Sequence, residues 1–148
     1  MIITYSKPVF KHMILTDQKI HTIREDKHNR WKSGMTMHHW LFNPRNTNRK
    51  DGLLPHQFYE CKLMLKEQIS IQRVNRDICP SEMLVTLKKG KINRILDSDE
   101  VELLAKNDGL SIDQFRLWFV PPDNPIFNGW ILHWTNMNYM DKLKIEQQ

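Results

Sequence analysis

One early helix aside, the apolar residues of this 148-residue chain recur mainly at alternate positions as far as Leu96, then at three- and four-residue spacing from Asp97, and alternation returns at Phe127. Alternation marks half-buried strands, and the longer spacing marks amphipathic helices. Several strands, two short helices and a closing strand make neither a regular βαβ series nor a helix bundle. The order predicts an α+β protein, a small mixed β-barrel with short helices outside it.

Taken in order, Ile2 to Thr4 reads as a first strand, with Ser6 as N-cap and Pro8 in the first turn of a helix over residues 7–15, whose apolar face is Val9, Phe10, Met13 and Ile14. A strand over Ile20 to Arg24 follows, then a polar loop from Glu25 to Arg30, and an extended, aromatic-rich stretch from Met35 to Phe42. Residues 43–58, with two prolines and a glycine, read as a long surface loop. Glu60 to Lys66 alternates as one strand and Ser70 to Val74 continues extended, while Met83 to Leu87 and Lys91 to Leu96 flank Lys88-Lys89-Gly90 as a hairpin. Asp97 or Ser98 caps a helix that Gly109 ends, and Ser111 caps another carrying Phe115, Trp118 and Phe119 on one stripe and stopping at Pro121. In the last strand Trp130, Leu132 and Trp134 share one face, Ile131 and His133 the other. The expected organisation is one domain over residues 1–140 and a polar tail over residues 141–148.

Composition narrows the partners. Mean hydropathy is −0.59, the longest apolar run falls well short of a membrane span, and the N-terminus lacks a secretory apolar region, so the expected location is the cytoplasm. Cys61 and Cys79 show no metal-ligand spacing, and His38-His39 has no third ligand near it, so neither a cofactor nor a metal is expected. Lys and Arg outnumber Asp and Glu by 22 to 17, which favours polyanionic partners.

The densest chemistry lies in Lys19-Ile-His-Thr-Ile-Arg24. On a strand, Thr22 and Arg24 point to one side and His21 and Ile23 to the other. Lys19 can join the hydroxyl and the guanidinium only from the preceding turn. A solvated edge strand, whose charges discourage further pairing, is the plainest alternative.

Lys19, Thr22 and Arg24 also fit the pattern Gly-x-Lys-x-x-Thr-x-Arg, so the stretch resembles the signature of the ASCH domain, a branch of the PUA-like β-barrel superfamily, with Asp17 in the place of the glycine. Trp31-Lys-Ser-Gly34 and the run from Ala105 to Phe115 are similar to later parts of the small bacterial members, and residues 43–59 and 75–95 then read as insertions. The resemblance implies a PUA-like barrel with a polar pocket at its mouth. Some members hydrolyse N4-acetylcytidine with a lysine, a threonine and a carboxylate, which by position become Lys19, Thr22 and Asp108, the acid being Asp where the family has Glu.

Three functional classes are thereby open. The first is binding of RNA, single-stranded nucleic acid or a modified nucleoside, with Arg24, His21, Arg30, Arg45, Lys27 and Arg49 as phosphate contacts and Trp31 or Trp40 stacking a base. The second is amide hydrolysis, with Thr22 as nucleophile and Lys19 as a base whose pKa must fall well below its usual value near 10.4. The third is a structural or regulatory protein in which Lys19 and Asp108 form only an ion pair. His133, between two tryptophans, reads as a core histidine that could also face the pocket.

Overall fold

The computed structural model describes residues 1–141, so the expected polar tail, Asp141 apart, lies outside the described residues. The strands are β1 (Ile2–Tyr5), β2 (His21–Arg24), β3 (Thr36–Leu41), β4 (His56–Lys62), β5 (Leu65–Arg73), β6 (Met83–Lys89), β7 (Ile92–Ile95) and β8 (Ile126–His133), and the helices are α1 (Pro8–Leu15), α2 (Ser98–Asn107) and α3 (Ile112–Phe119). The protein is α+β, as expected, but the sheets do not close into a barrel. One sheet has the order β1-β3-β4, with β1 and β3 parallel, and the other is antiparallel with the order β2-β8-β5-β6-β7.

The reason lies at Leu63-Met64. Leu63 N–H donates to Met35 O at 2.9 Å, beside the small sheet, and Met64 N–H donates to His133 O at 2.8 Å, at the end of β8 in the large one. The chain thus changes sheets within two residues, and the single strand expected over Glu60 to Lys66 is two strands. Leu63, Met64 and Leu65 are three apolar residues in a row at the switch, with Leu63 buried and the next two exposed, so the strict alternation of a single strand is interrupted there. The loop before β4 ends at Pro55, short of the expected residue 58.

In the hairpin of β6 and β7, β7 is an exposed edge strand and β6 belongs to the core. Met83, Val85 and Leu87 of β6 are buried beside Ile69 and Ile71 of β5, and this row packs against Val101 and Leu104 of α2 and Phe115 of α3. A second cluster, Ile3, Tyr5, Phe10, Ile14, Met37, Leu63 and Leu132, joins the small sheet to α1. Leu110, between α2 and α3, packs against both clusters.

Local signals place the helices. Asp97 accepts from Glu100 N–H while the Glu100 carboxylate accepts from Asp97 N–H, and Ser111 and Gln114 do the same for α3; each such cap contributes about 1 kcal/mol. α1 begins differently from expectation. Lys7, not Ser6, is its N-cap and offers no side-chain bond, so the fixed φ of Pro8 is the principal start signal.

Candidate functional site

The site is built where two helices end side by side. At the end of α1, Asp17 N–H donates to Ile14 O and Gln18 N–H to Met13 O, the paired bonds of a Schellman turn, with Asp17 in the left-handed region at φ +59°. This is the position at which the resemblance demanded glycine, and Asp is among the few other residues that tolerate it. At the end of α2, Gly109 takes the same role at φ +84°, with Gly109 N–H donating to Lys106 O and Leu110 N–H to Ala105 O. A Cβ on Gly109 would lie 3.0 Å from Met13 Sδ and 3.4 Å from Lys19 Cδ, so its bare backbone lets the two turns approach.

Lys19 leaves the first turn toward the second. Its Nζ donates to Asp108 backbone O at 2.7 Å and to Asp108 Oδ1 at 2.9 Å, and Ile20 N–H donates to Asn107 O at 2.9 Å. The ammonium therefore meets both a carboxylate and the carbonyl end of α2, two negative partners. It is nonetheless 2% exposed, and burial lowers its pKa despite Asp108. Burial alone would raise the Asp108 pKa, yet Lys19 and His21 hold it below the usual carboxylate value. The sense of the pair is an ionised Asp108 beside an unusually labile ammonium.

Thr22 and Arg24 come from β2. Arg24 Nε donates to Thr22 Oγ1 at 3.2 Å, which puts both side chains on one face, and Arg24 Nη2 donates to Thr4 O at 2.8 Å. That second bond ties the large sheet to the small one beside the site. The guanidinium lies 5.3 Å from the centre of the Tyr5 ring, a cation–π distance. Lys19, Thr22, Arg24 and Asp108, walled by Tyr5, Phe10 and Trp118, line an open cavity of about 280 Å³. That is the small end for ligand sites and suits a single base- or sugar-sized group.

Two histidines support this constellation from inside. Asn107 Nδ2 donates to Tyr139 OH at 3.0 Å, and Tyr139 OH shares a 2.6 Å hydrogen bond with His21 Nε2. His21 Nδ1 lies 3.4 Å from Asp108 Oδ1, too poorly aligned for a full hydrogen bond, so the neutral tautomer whose Nε2 accepts from Tyr139 OH carries its proton on Nδ1, toward that carboxylate. Burial pushes the His21 pKa down to about 4. On the small sheet, Tyr5 OH bonds His39 Nδ1 at 2.8 Å and His39 Nε2 lies 3.2 Å from Cys61 Sγ; burial lowers the His39 pKa to about 3 and raises the Cys61 thiol to about 11.

Several expected contacts lie elsewhere. His21, taken as a phosphate contact, is fully buried behind Asp108, because the alternation that turns Thr22 and Arg24 to the cavity turns His21 into the core. Trp31 and Arg30 lie in a loop held away by Lys66, whose Nζ donates to Asp26 Oδ2 at 2.7 Å and Trp31 O at 2.8 Å, while Asp26 accepts from the Arg30 and Trp31 N–H groups. Arg45 and Lys27 are exposed away from the cavity, Trp40 is half-buried on β3, and Arg49 pairs with Asp51 and stacks over Phe42. No residue of the 43–55 loop lines the cavity. His133 is buried, with Nε2 2.7 Å from Glu67 Oε1.

Of the aromatic cavity residues, Phe10 and Trp118 are ones that the sequence places on apolar helix faces, and Tyr5 lies just past the strand expected over Ile2 to Thr4. Trp118 is 48% exposed although it shares a helical stripe with buried Phe115 and Phe119. Pro121, close after it, is the nearest available signal, since the stripe ends there. Among the described residues no group of three or more His, Cys, Asp or Glu side chains could hold a metal ion, and no helix is long and apolar enough to cross a membrane. No protein-family model, curated protein or solved structure matches the chain.

Proposed function

We propose that the protein binds a nucleotide or single-stranded nucleic acid, RNA foremost, by admitting one base or sugar to the cavity of Lys19, Thr22, Arg24 and Asp108. The observation that carries this reading is the cavity itself: an opening of about 280 Å³ in which a buried lysine–carboxylate pair, a hydroxyl and a guanidinium converge between aromatic walls. Such a set offers donors and an acceptor to a base edge or ribose, and Arg24 matches a phosphate at the mouth. The net charge of +5 supports a polyanionic partner, and the ASCH-like spacing of Lys19, Thr22 and Arg24 supports the same class. Fluorescence anisotropy with a labelled single-stranded RNA tests it. The affinity should fall linearly in log–log form as salt rises. Absence of binding at low salt sinks the reading.

One observation favours a catalytic version, hydrolysis of N4-acetylcytidine or a related acylated nucleoside. Lys19, whose pKa burial lowers, directs two donors to Asp108, so loss of its third proton would leave a lone pair turned away from that carboxylate. In this scheme Thr22 Oγ adds to the acyl carbonyl as Lys19 takes its proton. The proton passes to the leaving amine, and water hydrolyses the threonyl ester to release acetate. Acetate release that persists unchanged in folded Lys19→Ala and Thr22→Ala proteins excludes it.

A further inference from the structure

We infer that Trp118 and Lys7 form a second subsite beside this cavity, one that takes the neighbouring nucleotide of a single strand, its base on the indole and its phosphate at the ammonium. The inference rests on the nucleic-acid reading above and specifies the ligand as an oligonucleotide rather than a free nucleoside.

Trp118 is the starting point. A large aromatic ring on the buried stripe of a helix normally packs inward, as Phe115 and Phe119 do, yet Trp118 stays 48% exposed. It is held in place nonetheless. Phe10 of α1 meets the ring edge-on, with centroids 5.9 Å apart and planes at 78°, so the orientation of the indole is set by the helix beside it. An exposed aromatic surface of fixed orientation is what base stacking requires, and it costs little entropy on binding.

The surroundings select the ligand. A groove of about 380 Å³ runs between α1 and α3 and shares Phe10, Leu110 and Trp118 with the Lys19–Asp108 cavity, so the two spaces meet at the indole. Its floor is apolar, with Val9, Met13 and Leu117, and no acidic residue lines it. Lys7, exposed at the N-terminus of α1, holds its ammonium 5.6 Å from the centre of the indole ring. That lysine is free to move to a phosphate when a base takes its place over the ring. Aromatic face, apolar floor and a single mobile cation match a nucleotide. A purely apolar peptide or lipid chain would leave Lys7 without a counter-charge.

Stacking on an aromatic side chain is sequence-tolerant, so this subsite adds affinity for a strand without choosing its sequence. Selectivity then resides in the first cavity, where Lys19, Thr22 and Asp108 face the group admitted.

The test uses a fluorescein-labelled, mixed-sequence single-stranded RNA octamer and, by competition, a mononucleotide, with wild-type protein and the Trp118→Leu, Trp118→Phe and Lys7→Ala variants. Trp118 and Lys7 are surface residues, and circular dichroism confirms that each variant is folded. Trp118→Leu should weaken octamer binding by about tenfold or more, and Trp118→Phe should retain most of it. Lys7→Ala should reduce the log–log salt slope by about 0.7. The mononucleotide should compete equally for wild type and Lys7→Ala, because Lys7 does not line the first cavity, and Trp118→Leu, whose indole also walls that cavity, should weaken it far less than it weakens the octamer. Octamer binding that is the same for wild type and Trp118→Leu overturns the subsite and leaves the first cavity's role intact. So does a Trp118→Leu loss equal for octamer and mononucleotide, which would assign the indole to the first cavity. If neither probe binds wild type, the nucleic-acid reading falls and the subsite with it.

Discussion

Replacing Asp108 by Asn removes the carboxylate that compensates the Lys19 ammonium, at a place where the two side chains are 3% and 5% exposed and 2.9 Å apart. Only the Asp108 carbonyl, at 2.7 Å, would still accept from Nζ at full strength. Leaving one member of a buried pair unmatched costs about 3–5 kcal/mol. For a domain of this size, where 1 kcal/mol shifts the melting temperature by about 2–4 °C, that is a drop of roughly 6–20 °C. Lys19→Met strands the carboxylate instead and should cost a similar amount. The double variant Lys19→Met/Asp108→Asn leaves neither charge buried, so it should be more stable than the sum of the single losses by about 2 kcal/mol or more. The pH dependence gives a second handle. In Asp108→Asn the Lys19 pKa stays lowered by burial from 10.5, so the unfolded chain binds more protons in the interval below that value. The variant's deficit should therefore shrink as pH rises toward 10.5. Urea denaturation at several pH values measures all of this. An Asp108→Asn protein that melts within about 2 °C of wild type, or single losses that simply add, would refute the account of a buried, mutually dependent pair.

The two buried histidines predict acid sensitivity in a window where carboxylates are still silent. Folded pKa values of about 4 for His21 and about 3 for His39 lie below the ordinary 6.5, so between pH 6.5 and 5 the unfolded chain takes up protons that the folded one refuses. Stability should fall by about 1.4 kcal/mol per pH unit for each histidine across that window; equal urea midpoints at pH 7 and pH 5 would contradict it. Backbone positions give opposite signs at two sites. Gly129→Ala would set a Cβ 2.6 Å from Arg24 O and 2.7 Å from the Phe127 ring, spreading β2 from β8, so a loss of about 1–3 kcal/mol is expected in the same assay. Asp17→Gly should instead add up to about 1 kcal/mol, because it relieves a left-handed residue at φ +59°; a destabilised Asp17→Gly protein would show that the Asp17 side chain contributes more than its strain costs.

The starts and stops of α2 and α3 were legible because their causes are local. The capping boxes at Asp97 and Ser111, the left-handed stop at Gly109 and the break before Pro121 each act over a few residues, and each stands where the sequence places it. Alternation likewise showed that Thr22 and Arg24 share a face and that His21 does not, although His21 was still counted among the surface contacts. Lys19 reached the same cavity from its turn, as the spacing required.

What escaped the sequence depends on groups far apart along the chain. The change of sheets at Leu63-Met64 is set by two backbone bonds, to Met35 and to His133, and the three consecutive apolar residues there do not say which sheet each end joins. Trp118 has the spacing of a core residue and is 48% exposed, its ring held edge-on by Phe10, more than a hundred positions earlier. By itself the sequence determined most of the elements, the caps of α2 and α3 and the side of β2 that carries Thr22 and Arg24, all consequences of period and local hydrogen bonding. Only the tertiary structure decided that the sheets stay open, that His21 is interior and Trp118 is not, and that Lys19 closes on Asp108 between two helix ends. Those outcomes follow from which distant surfaces exclude water together, and no window of a few residues contains that information.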